Sequence, residues 1–98
     1  DSFGVYSRSG DFEVRIRFNR AVADYIREKR WHPSQVLVEL PDQGVELQLR
    51  LGSLEEISRW ILGWGAHATV LSPPELVSIL RETAQALVKN YPMSQKPG

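Results

Sequence analysis

From Asp11 to Phe18 the chain alternates without exception. Phe12, Val14, Ile16 and Phe18 fall on one side, and Glu13, Arg15 and Arg17 on the other. A two-residue period of this kind belongs to an extended strand with one face on a core and one in water. Val45 to Leu51 repeats it, with Val45, Leu47, Leu49 and Leu51 set against Glu46, Gln48 and Arg50. Two half-buried strands require a sheet with one covered face, so the rest of the chain must supply the cover.

The cover is legible as helices. Asn19 is placed to cap a helix in which Val22, Tyr25, Ile26 and Lys29 share a face while Asp24, Arg27 and Glu28 look outward. Trp31-His32-Pro33 ends it, because the residue before a proline is pushed out of the helical region. Ser34 to Leu40 reads as a strand with Val36, Val38 and Leu40 inward, and Pro41-Asp42-Gln43-Gly44 as a hairpin turn. Ser53 and Glu56 form a capping box. Leu54, Ile57, Ile61 and Trp64 follow at helical spacing, with Trp60 beside them, until Gly63 and Gly65 offer positive φ at little cost. Ala66 to Leu71 is a short strand. Ser72-Pro73-Pro74-Glu75 is a second capping box, with proline at the first helical position. The last helix is expected from Pro74 to about Tyr91, burying Leu76, Ile79, Leu80, Thr83, Leu87 and Tyr91.

The order β-α-β-β-α-β, followed by α, specifies an α+β fold. Two crossovers, each skipping one strand, give a ferredoxin-like antiparallel sheet of order 4-1-3-2 with an additional C-terminal helix. At 98 residues, 42% of them hydrophobic, one core is expected, over 11–91. Residues 1–10 read as a linker or the trailing edge of a preceding domain, and 92–98 as a disordered polar tail. The chain opens on Asp1 rather than Met, as a segment of a longer protein would. It has no cysteine, which rules out disulfides and thiolate sites and is compatible with a reducing cytoplasm. No apolar run approaches the roughly 20 residues of a membrane span.

Both crossover helices fall on one side of such a sheet, so its other face stays open. Its outward set is Arg15 and Arg17, then Leu37 and Glu39, then Glu46, Gln48 and Arg50, then His67 and Thr69. Strands one and three are central, so Arg15, Arg17 and Arg50 fall in one patch with Gln48 beside them. Guanidinium groups on a rigid sheet suit phosphate or carboxylate recognition. The bland alternative is a solvated face of mixed charge, with Arg15 and Arg17 paired across strands to Glu46 or Glu39.

The other candidates are weaker. His32 and His67 lack the converging ligands a metal needs, so no metal or cofactor is expected. Trp60 and Trp64 lie on a helical stripe and read as core rather than as a base-stacking platform. No phosphate loop, nucleophile elbow or triad order is present, so no catalytic residue is assigned. Phe18-Asn19-Arg20-Ala21 also lacks the glycine-rich turn that acylphosphatases carry on this topology. Charged outward positions on the central strands argue against a single-stranded RNA reader, which needs aromatics there. Twelve basic residues balance twelve acidic ones, which argues against sequence-independent duplex binding by this chain.

Three stretches carry a resemblance: Arg30-Trp31-His32-Pro33-Ser34-Gln35, Trp60-Ile61-Leu62-Gly63-Trp64-Gly65, and Val70-Leu71-Ser72-Pro73-Pro74-Glu75-Leu76. Together they resemble the C-terminal extension, WCX, of bacterial WYL-domain transcriptional regulators. Asp1 to Tyr6 is similar to the segment joining the WYL domain to that extension. The resemblance runs in order from about residue 1 to Tyr91. It implies a parent protein with an N-terminal winged helix-turn-helix that binds DNA and a central WYL domain, neither contained in this chain.

For this chain the resemblance implies a regulatory role: a non-catalytic module that contacts the WYL domain of its own or a partner subunit, helps form a homodimer, and senses an effector. That effector is a single-stranded nucleic acid in some members. A stand-alone ferredoxin-like module that binds a small molecule is the alternative on the residues alone. Arg15, Arg17, Arg50 and Gln48 are expected to face the effector or partner on sheet geometry, not on the resemblance.

Overall fold

The structure, a computed structural model, describes residues 11–93. The expected linker at 1–10 and the tail beyond Met93 lie outside the described residues. Four strands, β1 (Phe12–Phe18), β2 (Val36–Glu39), β3 (Val45–Leu51) and β4 (Ala68–Ser72), alternate with α1 (Arg20–Glu28), α2 (Glu55–Leu62) and α3 (Pro74–Asn90). All strand pairs are antiparallel and the sheet order is β2-β3-β1-β4, the α+β arrangement expected, with the extra C-terminal helix in place.

Register follows from burial. Val14 sits opposite Leu49, Ile16 opposite Leu47 and Phe18 opposite Val45, so one face of the central pair is wholly apolar. Val22, Ala23 and Ile26 of α1 and Ile57 and Ile61 of α2 close over it. Burial of this kind contributes about 1.5–3 kcal/mol for each large apolar side chain. Phe18 anchors an aromatic cluster, with ring centroids 5.7 Å from Trp60 and 5.9 Å from Trp64, while Trp31 lies 4.9 Å from Trp60. The tryptophans are thus core packing.

Several expectations need correction. On β2 the phase is reversed: Leu37 packs on the core, while Val36 (53% exposed) and Val38 (38% exposed) stand on the open face. The register imposes this, since Leu37 faces the buried Leu47, and Val36 and Val38 face Gln48 and Glu46. Glu39 leaves the open face as well. It lies opposite buried Val45 and turns toward α1, where Arg27 holds both its oxygens at 3.0 and 2.8 Å. On α1 it is Ala23 that is buried, not Tyr25, which is 60% exposed and packs its ring toward Trp64 at the surface. Lys29 falls just past the helix and lies over the Trp31 ring.

The helix ends also differ in detail. Asn19 caps α1, its Oδ1 accepting the Ala21 amide at 3.1 Å. Ser53 Oγ accepts the Glu55 amide at 3.3 Å, one residue earlier than a capping box places it, because α2 starts at Glu55 behind Leu54. Ser72 does not cap α3: its hydroxyl donates to Glu13 O at 3.1 Å, and Pro73 occupies the cap position after a cis Ser72–Pro73 bond. Of the two glycines after α2, only Gly65 has positive φ, at 63°. His67 closes a 3₁₀ turn, Gly65–His67, and β4 begins after it at Ala68.

In α3 only Leu76 is buried. Leu80 and Thr83 are half-buried, but Ile79, Leu87 (45% exposed) and Tyr91 (77% exposed) face outward. The helix packs on β4 and α2, and its burial falls from Leu76 through half-buried Leu80 and Thr83 to exposed residues beyond. The stripe read from sequence exists, but little among the described residues covers its second half.

Candidate functional site: the open sheet face

The alternation of β1 and β3 delivers Arg15, Arg17, Gln48 and Arg50 to one face, as expected. Their register is Glu13 opposite Arg50, Arg15 opposite Gln48, and Arg17 opposite Glu46. On the flanks, Val36 and Val38 extend the face along β2, and Thr69 lies opposite Arg17 on β4. Oppositely charged or polar neighbours therefore meet at every step across the central pair. Cross-strand pairs of this sort fix register as well as charge.

Glu46 is the hub. It is buried beneath its neighbours, and Arg15 grips it diagonally, Nε to Oε2 at 2.6 Å and Nη2 to Oε1 at 3.2 Å. Gln48 Nε2 donates to the same Oε2 at 2.9 Å. The hydrogen bond from Arg15 is the main reason the Glu46 carboxyl is held below the usual carboxylate range; burial opposes it, and Gln48 and Arg17 add to it. The same bond raises the pKa of Arg15. Farther along, Arg50 Nη2 donates to Glu13 Oε2 at 2.8 Å, an exposed pair of the kind worth little in water.

The four site residues thus share a face but not a state. Arg15, Gln48 and Arg50 are committed to carboxylates, whereas Arg17 makes no hydrogen bond or salt bridge among the described residues. Its charge reaches Glu46 only through space. A shallow concavity of about 260 Å³ opens beside Arg15, lined also by Glu13, Ser34, Val36, Gln48 and Arg50. Its rim can donate from guanidinium and amide groups to an anion, and offers Val36 as apolar floor.

The rim is braced from behind by a feature that sequence reasoning assigned only to a corner. His32 is buried, and its Nδ1 accepts the Ser34 amide at 3.1 Å and sits 2.8 Å from Ser34 Oγ. Ser34 Oγ accepts in turn the Arg50 amide at 2.9 Å. With Nδ1 as acceptor, the bonding pattern assigns the neutral ring with its proton on Nε2. Burial lowers the His32 pKa in agreement, against the pull of Asp11. His67 lies elsewhere, exposed, with Nδ1 3.1 Å from Asn19 Nδ2. Among the described residues no three His, Cys, Asp or Glu side chains group to hold a metal.

Residues 10–88 match the family described as the WCX domain. This chain belongs to that family. All three motif stretches that carry the resemblance fall inside the matched residues, whereas Asp1 to Tyr6 lies before them. Two relatives were found, Protein PafC of Mycobacterium tuberculosis strain CDC 1551 / Oshkosh and Protein PafC of strain ATCC 25618 / H37Rv. Each is 30% identical over 67 residues, which is 68% of this chain. The matched stretch spans only 21% of the length of those relatives.

Two of the motif stretches of this WCX domain have structural roles. Trp31 donates its indole Nε1–H to Ile26 O at 3.0 Å, pinning the corner after α1, and His32 leads into the Ser34 brace. Trp60 and Trp64 pack around Phe18. A second surface of the domain was visible in the sequence only as a helical stripe. Between α2, β4 and α3 an apolar groove of about 500 Å³ is lined by Ile61, Ala68, Val70, Leu80, Ala84 and Leu87, among others. No helix among the described residues is long and apolar enough to cross a membrane.

Proposed function

We propose that this WCX domain is a non-catalytic regulatory module of a helix-turn-helix WYL transcriptional regulator. It helps dimerise that regulator and, with the WYL domain, senses an effector in the cytoplasm. The observation that carries the effector half is Arg17. Among the described residues it is an uncommitted guanidinium on a rigid face whose other cations are already paired. A phosphate-bearing effector, single-stranded nucleic acid included, would enter at Arg17 and Thr69 and compete with Glu46 for Arg15. Gln48 and Arg50 would then complete its ring of donors.

The mechanism is linkage. An effector bound across the extension and the WYL domain favours one arrangement of the dimer, and so changes operator affinity of the parent protein. The zero net charge of the chain supports recognition by a few placed contacts rather than by a bulk field. The exposed second half of α3 and the apolar groove beside it support contact with the remainder of a longer polypeptide, since the match covers about a fifth of its relatives.

The test is a polarisation titration with a labelled short single-stranded DNA at two salt concentrations, on this chain and on a WYL-plus-extension protein. Salt-sensitive binding by the longer protein that drops with Arg17→Glu supports the reading. Equal binding by the Arg17→Glu protein would remove the face from the effector site.

A further inference from the structure

β2 is an edge strand, and among the described residues nothing pairs with its free edge. The opposite edge, β4, is interrupted by a register irregularity at its pairing with Arg15 and Ile16 and is flanked by α3. Among the described residues β2 has neither protection. It presents Val36 and Val38 to solvent, and its only charged residue, Glu39, is drawn aside by Arg27. Edge strands without charge, bulge or cover invite another strand to pair.

The hydrogen-bond phase of that edge is fixed by its pairing with β3. Leu40 N donates to Gly44 O at 3.0 Å, and β2 pairs with β3 so that Val38 faces Glu46 and Val36 faces Gln48. Hydrogen-bonded and non-bonded pairs alternate in an antiparallel ladder. Val36, Val38 and Leu40 therefore spend their backbone groups on β3, and Leu37 and Glu39 point theirs away from the sheet. Gln35, one step earlier, has its amide tied to His32 O at 3.0 Å. Two residues thus remain for an incoming strand, bounded by Pro33 before and Pro41 after.

We propose that the partner is a second copy of this chain, added β2 to β2 in antiparallel register about a two-fold axis at Val38. In that register Leu37 of one copy exchanges both backbone bonds with Glu39 of the other, and the reverse, so the outward amides and carbonyls of both residues are used in each copy. Val38 meets its own symmetry mate in a non-hydrogen-bonded pair, the closer of the two kinds, on the open face. Glu39 stands across from Leu37 rather than from the other Glu39, so like charges are kept apart. Both copies have the same short ladder between prolines, so the two edges match in length, as a longer foreign strand would not. The two open faces join into one eight-stranded surface. This deepens the dimerising half of the proposed function and rests on it, while requiring nothing of the effector.

The test uses the absence of cysteine from the chain. Val38→Cys and Val36→Cys are made separately and incubated with oxidised glutathione while sedimentation reports the mass of the unmodified chain. Val36 is the more exposed position, so random collision favours its cross-link, whereas the seam favours Val38, where paired Cα atoms fall in disulfide range. The expected result is a concentration-dependent dimer and a Val38→Cys cross-link about tenfold faster than that of Val36→Cys. Glu39→Pro removes one outward amide and no β2–β3 bond, and is expected to keep the circular dichroism spectrum while losing the dimer. A dimer that cross-links no faster at Val38 than at Val36 overturns the seam and leaves dimerisation through another surface. A chain that stays monomeric and cross-links slowly at both positions overturns the seam and the dimerising half together.

Discussion

Arg15 of β1 and Glu46 of β3 are not cross-strand partners, yet they form the tightest polar contact of the open face. Arg15 lies opposite Gln48 and reaches one step along to take Glu46 with two hydrogen bonds. Its neighbour Arg17, directly opposite Glu46, is left with a guanidinium that no acid among the described residues holds. With Arg50 held by Glu13, the three similar arginines thus divide, among the described residues, into two tethered cations and one without an ion pair.

Glu46→Gln should release Arg15 while keeping the shape of the site. We expect the affinity of the open face for labelled single-stranded DNA to rise about fivefold, the scale of one unit charge at contact distance in water. Polarisation titration in the WYL-plus-extension protein measures it. An unchanged affinity would mean that Arg15 takes no part in binding.

Acid should weaken the fold in two steps. His32 has a folded pKa lowered by burial, so its neutral form is the stable one and the unfolded chain binds the proton more readily. Stability from this group is complete above the unfolded value of about 6.5 and is lost as pH falls toward the folded value. Glu46, also lowered, contributes stability above the ordinary carboxylate value that disappears as pH falls through its folded pKa. Urea midpoints across pH should therefore decline first below about 6.5. His32→Asn, whose side-chain oxygen can accept the Ser34 amide, should flatten that first decline and leave the second.

Trp60→Ala should cost about 3 kcal/mol, at the low end for a large aromatic because Trp60 is only half-buried. It removes edge contacts with Phe18 and Trp64 and the tilted contact with Trp31 at once. Urea denaturation and near-ultraviolet circular dichroism are the readouts. An unaltered midpoint would place Trp60 outside the core.

Gly44→Ala tests a close approach rather than a special dihedral. A Cβ at Gly44 would stand 2.5 Å from Phe18 O, a backbone atom that cannot swing away. Strands β1 and β3 would have to part at their ends, with an expected loss of about 1–3 kcal/mol in urea denaturation. Gly63→Ala, where the nearest atom is 3.3 Å away and φ is helical, should be milder.

The sheet and its face were legible because β1 and β3 alternate cleanly and sit at the centre. β2 was not, since Val36-Leu37-Val38 is apolar in succession and either phase satisfies the pattern. Its phase is set from outside, by a register that puts Leu37 against Leu47. Which arginine is free was equally hidden. That depends on a diagonal reach of Arg15 past Gln48, and alternation specifies faces, not diagonals. The Ser34 brace escaped for a related reason: its hydroxyl ties His32 to Arg50, which lies 16 residues beyond Ser34 in the chain, through one oxygen. The α3 stripe was read correctly as apolar and wrongly as buried, because spacing reveals a face and not what lies against it.

At 17 residues α3 extends roughly 25 Å, whereas the five-residue β4 beneath it extends roughly 17 Å. Among the described residues the helix therefore resembles a cantilever, clamped at Leu76 and exposed toward Tyr91. Its amides should exchange with solvent in a gradient, slowest in the first turns and fastest in the last. A partner that settles on the far end would erase that gradient without touching the sheet. The free end of α3 is in this sense a built-in gauge of assembly, readable by hydrogen exchange at single residues.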